Sequence, residues 1–137
     1  MNSKILEGRL QEIAYRNVAM TNSLPKKKIS NIIEGQLLRS TFSAAANYRA
    51  ACKGISAKSF TSKLSIAFEE ADETLFWLEV ILELKLIPEK KLTLLIKEAT
   101  ELSSILASSR KTMQQKQNEP QIKSNLKSLL LNYKSSP

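Results

Sequence analysis

Apolar residues recur at three- and four-residue steps along most of this chain, and that spacing predicts four helices. Leu6, Leu10, Ile13, Ala14 and Val18 make a loose stripe over residues 2–22, opposed by Lys4, Glu7, Arg9, Glu12 and Arg16. A second helix is expected after Pro25 and up to Lys53, with Ile29, Ile33, Leu37, Ala44, Tyr48 and Ala51 on one face and Arg39, Ser40, Ser43 and Asn47 beside it. Ala44, Ala45 and Ala46 would let a neighbouring helix come close, and Gly54 is placed to terminate the helix. A third helix begins near Ser56 or Ser59 and runs to about Leu86 along Phe60, Leu64, Ala67, Ala71, Leu75, Leu78 and Leu82. Pro88 should separate it from a fourth, whose core face is Leu92, Leu95, Ala99, Leu102, Ile105 and Leu106.

The last half of the third helix breaks the pattern. Phe76, Trp77, Val80, Ile81 and Leu84 add apolar surface well beyond one stripe. A helix that is apolar nearly all round is buried on more than one side, so these five residues are expected to form a subunit interface. The fourth helix fades after Met113, and Pro120 is expected to break the chain. That divides it into a bundle over 1–116 and a basic tail over 117–137, mobile or a short amphipathic helix. Short connections make neighbouring helices antiparallel, so the fold class is all-α, an up-down-up-down four-helix bundle.

Composition removes several kinds of chemistry. The chain has no histidine and one cysteine, Cys52, so histidine-based acid–base work and an intrachain disulfide are excluded. No run of about eighteen apolar residues occurs, so a cytoplasmic protein without a membrane span is expected. Charge points to partners. The net charge of +8 is distributed as +7 over 26–63 and +5 over 102–137, flanking a net −5 over 64–101. Such segments either attract one another within or between subunits, or present a basic surface to a polyanion.

Three groups are candidates for a role. In the acidic cluster Glu69, Glu70, Asp72 and Glu73, spacings of three and four put Glu69, Asp72 and Glu73 near one helix face, but without histidine or a second cluster they read as a solvated or salt-bridged surface rather than a metal site. Arg39 is expected to pair with Glu69, Glu70 or Glu73, inside the bundle or across an interface, and so to fix register. Arg49, Lys53, Lys58, Arg110 and Lys111 should converge on one end of the bundle, where they could contact phosphates of RNA or DNA. No aromatic residue is interleaved among them in sequence, which argues against base-specific readout. No cofactor is implied. Cys52 reads as a small packing residue.

The runs Gln36–Ser40, Ala46–Cys52, Lys63–Ala67 and Glu69–Glu79 together resemble the bacterial four-helix-bundle family, also called the 23S rRNA intervening-sequence or S23 family. The resemblance covers roughly residues 5–112. It implies a bundle that assembles into a ring-like homopentamer, kinship with accessory proteins of diversity-generating retroelements that bind nucleic acid and a reverse transcriptase, and no enzymatic activity. The alternative is a scaffold or accessory subunit for such a protein, with no nucleic-acid binding of its own. Phe42 stands where the family commonly has a small residue, and the segment after Lys116 lies outside the resemblance.

Overall fold

A computed structural model describes residues 1–135; positions 136 and 137 of the expected tail lie outside them. Four α-helices account for most of the described chain: α1 (Ser3–Thr21), α2 (Lys28–Cys52), α3 (Ala57–Glu83) and α4 (Thr93–Ser135). Each packs on its sequence neighbour, α1 closes on α4, and α2 with α3 shares the most extensive contact. The order around the bundle is therefore α1, α2, α3, α4. Leu10, Ile33, Leu37, Leu64, Leu78, Leu92, Leu102 and Leu106 fill its centre, each at 2% exposure or less. Burying one such side chain contributes about 1.5–3 kcal/mol. Ala44 (α2) and Ala67 and Ala71 (α3) are buried, and their size is what lets α2 and α3 approach closely.

Local chemistry sets the helix ends. The Asn2 Oδ1 accepts from the Ile5 N–H at 2.9 Å, and the Ser56 Oγ accepts from the Ser59 N–H at 3.1 Å. Those side chains satisfy backbone donors that the first turn leaves open. Helix α2 starts at Lys28, later than Pro25 predicts, and its cap residue Lys27 makes no side-chain capping bond. Helix α3 stops at Glu83. Its end is a left-handed residue at Lys85 (φ 53°), with Lys85 N–H bonded to Leu82 O and Leu86 N–H to Ile81 O. Glycine usually fills this position. Gly54 has no positive φ; a Cβ there would lie 3.0 Å from the Ala51 carbonyl oxygen, so close approach is what requires it. Pro88 precedes a single 3-10 turn (Glu89–Lys91), and α4 begins only at Thr93.

Pro120 does not break the chain as expected: α4 continues through it to Ser135. Its missing N–H removes one rung of the hydrogen-bond ladder, and its ring crowds the Lys116 carbonyl one turn back. From residue 114 to 134 every residue is exposed, so the second half of α4 projects beyond the bundle. Two stripe positions also move. Val18 and Ile29 are 38% and 39% exposed, and Asn17, Met20 and Thr21 face inward instead. Polar pairs thread the core: the Asn17 Nδ2 donates to Thr41 Oγ1 at 3.2 Å, and the Thr74 Oγ1 donates to Ser40 Oγ at 3.0 Å. Among the described residues no helix is long and apolar enough to cross a membrane.

Candidate nucleic-acid interface

The up-down topology brings the end of α2, the start of α3 and the start of α1 together, so Arg49, Lys53 and Lys58 share one end. It does not gather all five predicted cations on one surface. Arg49 and Lys53 line a groove between α1 and α2 together with Lys4, Glu7 and Gln11. Arg110 lies on the other side of the bundle, at the α3/α4 seam, with its guanidinium carbon 4.3 Å from the centre of the Phe68 ring. Cation–π contact of this kind holds the charge against its own chain. Lys111 and Lys58 are exposed.

Lys4 is an unforeseen member of the basic set, although antiparallel packing of α1 and α2 requires the start of α1 and the end of α2 to meet there. One carboxylate shares the groove. Glu7 Oε1 is 3.9 Å from Arg49 Nε, and the Arg49 side chain remains 58% exposed, so its charge still faces solvent. Cys52 is exposed on the same wall and does not serve as a packing residue. Beneath it Tyr48 is buried, and burial followed by the neighbouring Cys52 thiol pushes its hydroxyl well above the usual tyrosine range.

Past Arg49 the groove continues along α1 and α2 to Tyr15 and Phe42. These rings are 57% and 41% exposed, with centroids 6.2 Å apart and planes inclined by 58°. Sequence reading missed this pairing because the two aromatics are separated by a helix-to-helix turn. The unusual Phe42 was its one signal. An exposed aromatic pair beside a cationic groove can stack bases while the cations meet phosphates.

The expected ion pair forms at the surface rather than inside the bundle. Arg39 Nη1 donates to Glu70 Oε2 at 2.6 Å, and Nη2 donates to Glu73 Oε2. Both carboxylates raise the guanidinium pKa, Glu70 most. Glu69 is exposed and lies outside this pair. The Trp77 Nε1 donates to the same Glu73 at 3.2 Å, tying the ring to α3. Of the five residues expected at a subunit interface, Ile81 is a correction: at 0% exposure it belongs to the core of the single chain, because it shares the inward face with Leu78. Phe76 and Leu84 are 54% and 49% exposed, Trp77 and Val80 are half-buried, and Phe76 meets Trp77 edge-on at 4.9 Å. Among the described residues no cluster of three or more Asp, Glu or Cys side chains is placed to hold a metal ion.

The model of the family described as 23S rRNA-intervening sequence protein matches residues 9–108. The chain is also similar to the crystal structure of a protein of unknown function from the S23 ribosomal protein family of Bacteroides thetaiotaomicron VPI-5482. The two are 31% identical, with a TM-score of 0.73 over 81% of this chain and 99% of the other. No curated protein matches the sequence.

Proposed function

Since the chain belongs to the 23S rRNA-intervening sequence protein family, we propose that it is a non-enzymatic, homo-oligomeric bundle that binds single-stranded RNA or DNA in the α1/α2 groove. The observation that carries this reading is the position of Arg49, which lines both the cationic end of the groove and the stretch holding Tyr15 and Phe42. Lys4, Arg49 and Lys53 supply phosphate contacts, and the two rings supply sequence-tolerant stacking surface. A duplex keeps its bases stacked inward and would use only the cations. A cytoplasmic location follows from the same reading.

The test is fluorescence anisotropy with a labelled single strand and the corresponding duplex, titrated at several salt concentrations. Three phosphate contacts predict a slope of about −2 in log affinity against log salt for a single strand. Arg49→Glu should abolish binding to both probes, and Phe42→Ala should weaken the single strand alone by about 1–3 kcal/mol. Binding that ignores salt and Arg49→Glu overturns the reading. A complex with another protein that survives high salt, with no nucleic acid bound, would instead favour the scaffold or accessory role, for a reverse transcriptase among other partners.

A further inference from the structure

The projecting half of α4 and the outer face of α3 carry complementary patterns. In α4, Ile122, Leu126, Leu130 and Tyr133 are between 55% and 80% exposed. At about 100° per residue they fall on one stripe, and Lys123, Lys127 and Lys134 run along one edge of it. On α3, the exposed Phe76 and, at the C-cap, the exposed Leu84 lie on a stripe edged by the exposed Glu79 and Glu83. Lys123 and Lys127 are one helical turn apart, as are Glu79 and Glu83.

A chain cannot bring its own two stripes together. The Gln117 Nε2 donates to Ala57 O at 3.1 Å and to Thr61 Oγ1 at 2.8 Å, so α4 leaves the bundle at the N-terminal end of α3. Phe76 lies about 28 Å away in the opposite direction, at about 1.5 Å of rise per residue. The other exposed aromatic surface, Tyr15 and Phe42, sits beside Arg49 and would repel the lysine edge. A helix with a bare apolar stripe draws most of its stability from packing that stripe.

We propose that the projecting half of α4 in one copy docks on the outer face of α3 in a second copy, its lysine edge against Glu79 and Glu83. The contact is heterologous, since two different surfaces meet, and repeating it gives a closed ring or an open filament. The proposal rests on the homo-oligomer named above and identifies its joining surface.

Sedimentation equilibrium of the full chain, with fold followed by circular dichroism, tests it. The wild type should assemble at micromolar concentration. Lys123→Glu with Lys127→Glu should weaken assembly at least 10-fold, as should Glu79→Lys with Glu83→Lys, and the four changes combined in one chain should restore it. A monomeric wild type overturns both the docking and the oligomer. An assembling wild type whose mass ignores either reversal, or a fourfold variant that stays dissociated, overturns the docking alone. None of these residues lines the Arg49 groove, so nucleic-acid binding read on the same samples reports independently on the groove.

Discussion

Arg9 on α1 grips Glu98 on α4 with two parallel bonds, Nε to Oε2 at 3.0 Å and Nη2 to Oε1 at 2.5 Å. Glu101 adds a third contact to the same guanidinium at 3.1 Å. Both side chains of the main pair are only 22% exposed, and the bond to Arg9 holds the Glu98 carboxyl below its ordinary pKa. Bidentate geometry and partial burial set this pair apart from an ordinary surface ion pair. Glu98→Gln should cost about 1–2 kcal/mol in urea unfolding at neutral pH. The sign of the pH effect follows from the lowered folded-state value. The stabilisation is complete above the unfolded glutamate pKa of about 4.3 and is lost as pH falls through the folded value. The variant should therefore lose less stability than the wild type over that acid range.

Arg39 also holds two carboxylates, on α3, yet its side chain is 48% exposed. Solvent screening makes such a pair weak, so Arg39→Met should cost less than about 1 kcal/mol. The ranking against Glu98→Gln, read from midpoints at one pH, is the check. A larger loss at Arg39 would mean that exposure is a poor guide to the strength of these pairs.

Lys85 holds a left-handed conformation that costs a non-glycine residue about 1 kcal/mol or more. Replacement by glycine keeps the turn and both closing hydrogen bonds. Lys85→Gly should raise stability by about 1 kcal/mol, seen as an increase in the thermal midpoint.

The uncapped start of α2 offers a second gain. Lys27 has the extended backbone of a cap residue but no oxygen to accept from the first turn. Lys27→Ser supplies one, and about 1 kcal/mol of added stability should appear in the same thermal measurement.

Much of this architecture is legible in the sequence, and the reasons for the exceptions are physical. Spacing alone places Leu6, Leu10, Leu64 and Leu78 inward, where they are buried, because a helix turns its residues at a fixed rate and the core takes the apolar side. Val18 and Ile29 are the exceptions: beside Val18 the inward positions go to Asn17, Met20 and Thr21, and Asn17 is held there by its bond to Thr41. Ile81 looks like surplus apolar surface in the sequence, but it lies three residues from Leu78 and shares its buried face. Arg9 and Glu98 are 89 residues apart, and only the register between α1 and α4 makes them neighbours. The same holds for Tyr15 and Phe42. Local rules place Gly54 just past the end of the second helix, and α2 does stop there, after Cys52. The same rules make Pro120 a break, yet α4 passes through it, and they give no sign of the left-handed Lys85 that ends α3.

Pro120→Ala restores the missing N–H, which then bonds to the Lys116 carbonyl one turn back. Hydrogen exchange should show greater protection of amides on either side of position 120, while the unfolding midpoint of the bundle stays fixed. A shift of that midpoint would show that the projecting half and the bundle unfold as one unit.

The Gln117 side chain fastens α4 to the start of α3. Beyond it the helix runs on for about 26 Å, at about 1.5 Å per residue up to Lys134. Such a rod is a lever with its pivot at one amide group. A tilt of about 10° at Gln117 swings the tip by about 4–5 Å, given that length. A carboxamide near the pivot thereby bears on the aim of the far end.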